Sequence, residues 1–119
     1  MLIELCRSKI KNAFVTEINL HYEGSITISE EIAKKVHLYP AEKVLVVNLN
    51  NGNRFETYVI YGEKGKGIIG LNGGTALLGD IGDELLILSF GIFGEEEISK
   101  HKMLVLELKD KNQLADDNS

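Results

Sequence analysis

Asn51-Gly52 separates two strand-like runs, KVLVVNL from Lys43 to Leu49 and RFETYVIY from Arg54 to Tyr61. Asparagine and glycine both tolerate the positive backbone angles of a tight turn, so the segment reads as an antiparallel hairpin, with the dense apolar run as a central strand. Further strand candidates follow the same style. They are FVTEINLHY (14–22), ITI (26–28), IIGL (68–71), DELLILSF (83–90) and MLVLELK (103–109), parted by turn-rich GEKGKG and by NGGTALLG, a loop or short helical turn. One proline and twelve glycines lean away from a helical bundle. Only SEEIAKKV, from Ser29 to Val36, has a helix signature: Ser29 to cap, Glu30 and Glu31 in the first turn, and Ile32, Ala33 and Val36 on one face. EEEISKH (95–101) supplies a second short turn or helix at most.

So many short strands predict a closed or nearly closed β-barrel, because closure removes unpaired strand edges. At 119 residues and 44% apolar composition the chain fits one domain with a modest core, which burial against copies of itself would reinforce. The barrel domain is expected over 1–108. The polar end, 109–119, is expected to be a frayed tail.

A net charge of −5 offers no general attraction to a phosphate backbone or an anionic membrane. The single Cys6 excludes an internal disulfide, and no paired cysteines suggest a zinc or iron–sulfur site. The opening MLIELCRSKIK is apolar for too few residues to be a signal peptide, and no segment approaches a membrane span, so a cytoplasmic address is expected. Asn72-Gly73-Gly74 lacks the spacing of a phosphate or dinucleotide loop. Lys64 and Lys66 read as an exposed loop, and His101 with Glu95, Glu96 and Glu97 as a solvated face.

Several residues carry chemistry in potential. Gly24-Ser25 is an ordinary turn pair, yet glycine leaves its carbonyl sterically open and the next hydroxyl can attack it if the fold holds the two together. Alternation puts Arg54, Glu56 and Tyr58 on one strand face and Phe55, Thr57 and Val59 on the other. Arg54 suits a bidentate grip on a carboxylate and Tyr58 can offer a proton; both also suit a barrel rim. Lys9 is a solvated charge or a cation for an acidic substrate, and His21 a structural or acid–base group.

Taken together, Lys9, HYEGS (21–25), NGxRFxTY (51–58), Asn72-Gly73 and Gly82-Asp83 before an apolar strand resemble the pyruvoyl-dependent aspartate 1-decarboxylase family. The likeness runs from the start to about Leu88, with a weaker remainder of compatible length. It implies an all-β, double-psi β-barrel with short helices, assembled as a homotetramer with active sites between subunits. It further implies self-cleavage between Gly24 and Ser25, assisted by Thr57, which converts Ser25 to a covalent pyruvoyl cofactor. That group would form a Schiff base with L-aspartate and yield β-alanine and CO2 for pantothenate synthesis. Neither pyridoxal phosphate nor a metal is implied.

By the same resemblance Arg54 holds a substrate carboxylate, Lys9 is a second cation, Tyr58 is the proton donor, and Thr57, Asn72, Gly73, Gly74 and Thr75 frame the substrate. Three positions depart from the family pattern: Lys11 replaces a usual histidine, Val47 a frequent tryptophan, and NGGT the customary NGAA. They bear on substrate and rate, so a decarboxylase of a related amino acid is the enzymatic alternative; dependence on a maturation factor and an unprocessed binding or regulatory barrel are separate alternatives.

Overall fold

The computed structural model describes residues 1–115. The strands are β1 (Leu2–Phe14), β2 (Glu17–Asn19), β3 (Ser25–Ser29), β4 (Lys43–Asn48), β5 (Arg54–Gly62), β6 (Ile69–Asn72), β7 (Glu84–Gly94) and β8 (Leu104–Glu107). Helix α1 (Glu30–Lys35) follows β3, α2 (Glu95–Ile98) follows β7, and a 3-10 turn over Gly73–Leu78 follows β6. Among the described residues no helix is long and apolar enough to cross a membrane.

All eight strands join in the order β2-β6-β3-β5-β4-β7-β1-β8. The β1 chain runs directly into β2, which pairs at the opposite end of that order, so one continuous stretch brings the two ends of the sheet together. Backbone bonds from Val15 N to Asp83 O (2.9 Å) and Thr16 N to Ile69 O (2.8 Å) secure the crossing. The expected all-β barrel is therefore present. Three pairs are parallel, β1 with β8, β2 with β6 and β3 with β5; the rest are antiparallel.

Strand alternation decides which wall each side chain joins. Ile26 and Ile28 of β3, Val44 and Val46 of β4, Val59 of β5, Ile69 and Leu71 of β6, and Leu85 and Ile87 of β7 point into one core, closed at one side by Ile32, Ala33 and Val36 of α1 and its sequel. Each fully buried Ile, Leu or Val contributes about 1.5–3 kcal/mol relative to exposure. The intervening residues, Ser25, Thr27, Arg54, Glu56, Tyr58, Gly70 and Asn72 among them, face away from that core.

The hairpin forms, with Val47 paired to Arg54. Its loop is wider than a two-residue turn: Asn48 N donates to Asn53 O at 2.7 Å, and only Gly52 (φ +80) takes the positive angle that both turn residues were expected to tolerate.

Three expectations are corrected. The strand expected at 14–22 is instead the end of β1, a three-residue β2 and a turn, while the strand that begins the chain went unread because bulges between Cys6 and Ser8 and between Ile10 and Ala13 break its alternation. Ser29 precedes α1 but makes no side-chain cap; its Oγ donates to Glu63 O (3.1 Å) and accepts from Ile68 N (2.7 Å), tying the β3–α1 junction to the following loop. The segment after residue 108 is also not frayed from its start. Leu108 and Asn112 are buried, and Asn112 completes a backbone-like set of bonds: Phe14 N to its Oδ1 (2.8 Å), its Nδ2 to Phe14 O (2.8 Å) and to Gly67 O (2.9 Å). The remainder of the expected tail, 116–119, lies outside the described residues.

Candidate active site on the outer barrel wall

Ser25 is the first residue of β3, and its side chain points away from the core, yet it is fully buried. The cover comes from β6 and the turn behind it. Asn72, paired with Ser25 across the antiparallel β3–β6 ladder, donates through Nδ2 to Ser25 Oγ at 2.9 Å and to Thr27 Oγ1 at 2.8 Å. Ser25 Oγ in turn donates to Glu23 O at 3.0 Å. Thr75 Oγ1 donates to Asn72 O (2.8 Å) and lies 3.3 Å from Ser25 O, so the strand and the turn are stitched at the same point.

The peptide bond before Ser25 straddles a boundary. Gly24 is exposed and has open space where a β-carbon would stand, whereas Ser25 is completely enclosed. Gly73, at φ +64, supports the segment from below. A β-carbon there would lie 2.7 Å from Gly24 Cα, Gly24 N and Tyr22 O, so only glycine lets the two backbones approach this closely. His21 and Tyr22 are exposed and border a cavity of about 650 Å3 whose floor includes Glu17, Asn19, Thr27 and Asn72.

Register brings two more of the expected residues alongside. Ile26 pairs with Val59 at the start of the parallel β3–β5 ladder, so Tyr58 and Thr57 are the two β5 residues just before the point where that strand meets β3. Among the described residues no hydrogen bond joins Thr57 to Gly24 or Ser25.

The cations stand elsewhere. Arg54 precedes Tyr58 by four residues, roughly 13 Å along the strand, and lines a separate cavity of about 790 Å3 with Lys43, Glu56 and Phe90. Lys9, paired with Leu88 of β7 and Val105 of β8, lies four strand positions from β3 in the sheet order. Lys11 pairs with Glu107, and Val47 lies directly opposite Arg54. One chain thus assembles Ser25, Asn72, Gly73 and Thr75, with Gly74 exposed on the same turn and Tyr58 on the adjoining strand, while Arg54 and Lys9 stand farther off in the sheet.

Gly82-Asp83 has a structural task. Asp83 Oδ2 accepts from Asn48 Nδ2 (2.9 Å) and from Asp80 N (2.8 Å), while Asn48 Nδ2 also reaches Leu78 O (3.3 Å), so the carboxylate locks the hairpin to the end of the 3-10 turn. The Asn48 bond first, then the Asp80 N–H, hold the Asp83 carboxyl below its ordinary value against the opposing effect of burial.

Sequence reading passed over Glu17, Asn19 and Thr27. Their signal was alternation, since Glu17 and Asn19 share the outward face of a strand whose Ile18 packs toward the core.

Fold and site define a small β-barrel protein with a serine-centred cluster on its outer wall, preceded by an exposed glycine. Residues 1–115 match the family model described as aspartate decarboxylase. The chain is also 51% identical over 115 residues to the aspartate 1-decarboxylase of Caldicellulosiruptor bescii, covering 97% of this chain and 90% of that protein. With the aspartate 1-decarboxylase of Acetivibrio thermocellus it shares 50% identity over 114 residues, 96% of this chain and 90% of that one. The aspartate 1-decarboxylase of Chlorobium limicola is 49% identical over 112 residues, 94% of this chain and 87% of that protein. The chain belongs to the aspartate decarboxylase family.

Proposed function

We propose that this chain cleaves itself between Gly24 and Ser25 and that the pyruvoyl group formed at residue 25 serves the decarboxylation of L-aspartate to β-alanine and CO2, a step of pantothenate synthesis. The observation that carries the reading is the placement of the Gly24-Ser25 bond, with an open glycine on one side and, on the other, a buried hydroxyl held by Asn72 Nδ2 and Glu23 O.

Ser25 Oγ attacks the Gly24 carbonyl carbon, with Thr57 supplying a hydrogen bond to the oxygen that gains charge. The C–N bond breaks, the Ser25 nitrogen takes up the hydroxyl proton, and an ester joins Gly24 to Oγ. Loss of the Ser25 Cα proton and departure of the Gly24 carboxylate from Cβ leave dehydroalanine. Its tautomerisation and reaction with water expel ammonia and leave the pyruvoyl group.

The residues present suit that product. The Ser25 carbonyl, which survives the conversion, lies within reach of Thr75 Oγ1, and the departing Oγ frees Asn72 Nδ2 on the same wall. The pyruvoyl ketone supplies an electrophile for the substrate amine and a sink for the electron pair released with CO2.

Around it, Arg54 grips a substrate carboxylate in bidentate fashion, Lys9 adds a second cation, Tyr58 holds the proton to be delivered, and the Asn72–Thr75 turn frames the substrate. Because Lys9 and Arg54 stand apart from Ser25 within one chain, the complete site draws on neighbouring copies of a homotetramer. The exposed apolar residues Phe90, Ile92 and Val105 are consistent with such packing, and the parallel pairings with a double-psi crossing.

Intact-protein mass spectrometry of fresh and incubated samples tests the reading. Wild type should yield fragments 1–24 and 25–119, the latter lighter by one ammonia than its serine-ended form, and Ser25→Ala should stay whole. A chain that remains intact without a reactive carbonyl would turn the case toward an unprocessed barrel. Pyruvoyl formation without CO2 release from aspartate would point to a related amino acid.

A further inference from the structure

We infer that Glu17 and Asn19 form a one-way hydrogen-bond relay that holds the Asn72 carboxamide with its NH2 group toward Ser25, making both of them positioning residues for self-processing. The inference rests on the self-processing reading above and extends it to two residues outside the cluster that touches Ser25.

The direction of the relay follows from donor and acceptor types. Asn19 lies 2.9 Å from Glu17 Oε2 and 3.0 Å from Asn72 Oδ1. An ionised carboxylate only accepts hydrogen bonds, so Asn19 must turn its NH2 group toward Glu17. That same NH2 carries a second hydrogen, which Asn72 Oδ1 accepts. With its oxygen so engaged, Asn72 presents Nδ2 to Ser25 Oγ (2.9 Å) and Thr27 Oγ1 (2.8 Å). Ser25 Oγ then accepts a hydrogen bond from Asn72 and aims its own hydrogen at Glu23 O, the arrangement observed at 3.0 Å. Reversing Asn72 would offer Ser25 an acceptor and draw its hydroxyl proton away from the scissile segment.

The strand ladder is built for this chain of contacts. Glu17 pairs with Gly70 and Asn19 with Asn72 across β2 and β6. The Glu17 side chain lies across Gly70: a β-carbon at residue 70 would stand 2.9 Å from Glu17 Cγ and 3.3 Å from both Cδ and Oε2. Gly70 has no left-handed angle that calls for glycine, so the room it leaves is what its lack of a side chain accomplishes.

The test follows cleavage by intact-protein mass spectrometry in wild type, Glu17→Gln, Glu17→Asp, Asn19→Ala and the Glu17→Gln/Asn19→Ala double variant, with thermal unfolding recorded for each. Gln keeps the shape of Glu but can also donate, so Glu17→Gln and Asn19→Ala should each slow cleavage roughly tenfold, as expected for one charge-assisted bond in a relay. Glu17→Asp, still acceptor-only, should recover most of the rate. The double variant should be no slower than the slower single one, because both act through Asn72. Gly70→Ala should displace Glu17 and copy the Glu17→Gln rate. Wild-type rates in Glu17→Gln and Asn19→Ala, or Glu17→Asp as slow as Glu17→Gln, would overturn the relay.

A second readout needs no cleavage. In a Ser25→Ala background the side-chain amide resonances of Asn72 should shift on adding Glu17→Gln; unchanged resonances would also overturn it. If wild type never cleaves, the self-processing reading falls, while the Asn72 resonances still decide for or against the relay.

Discussion

Gly73 packs against Gly24 so tightly that a β-carbon at residue 73 would stand 2.7 Å from the Gly24 backbone, whereas one at Gly74 would meet nothing within 4 Å. Neighbouring glycines in one turn therefore carry opposite expectations. Gly73→Ala, strained at φ +64 and pressing on the segment before Ser25, should slow cleavage strongly and destabilise the fold by about 1–3 kcal/mol. Gly74→Ala should cleave normally and gain about 0.5 kcal/mol through a less flexible unfolded chain. Parallel cleavage time courses and denaturant titrations check both; equal behaviour of the two would refute the packing argument.

The Asp83 carboxylate sets an acid limit on the hairpin. Its pKa lies below the ordinary 3.8, principally through Asn48. A depressed carboxylate contributes stability that is complete above its unfolded value and is lost as pH falls through the folded one. Asp83→Asn should thus melt below wild type at about pH 6, with the gap narrowing as pH drops below about 4. A gap that stays constant or widens in acid would contradict this.

Asn112, itself buried, joins the last described turn to Phe14 through two partly buried bonds and to Gly67 through a buried one. Asn112→Ala leaves Phe14 and Gly67 backbone groups without partners and should cost about 2–4 kcal/mol in urea unfolding. A loss under half a kilocalorie would show that water replaces it freely.

Arg54 is exposed in the single chain, and among the described residues its side chain makes no hydrogen bond or ion pair. Arg54→Ala should leave thermal stability within about 0.5 kcal/mol of wild type and permit cleavage, while raising the KM for aspartate. Unchanged aspartate kinetics would remove Arg54 from substrate binding.

Much of the barrel was legible in the chain itself, and for a local reason. KVLVVNL, RFETYVIY and IIGL place alternating side chains on a core face, and alternation is a property of neighbouring residues that needs no knowledge of the fold. The first strand escaped because two bulges shift its period, and Ser29 misled because its hydroxyl finds Ile68 and Glu63, partners more than thirty residues away. Gly24-Ser25 was readable as a motif, but its burial and its bonds to Asn72 and Glu23 were not.

By itself the sequence determined strand content, the hairpin, the family likeness and the Gly24-Ser25 motif, because each rests on local pattern or motif. Tertiary structure decided what meets what: β2 beside β6, Glu17 across Gly70, Gly73 beneath Gly24, and Arg54 apart from Ser25. Those relations depend on sheet register and barrel closure, which sum contacts over the whole chain and leave no mark in any short stretch of it.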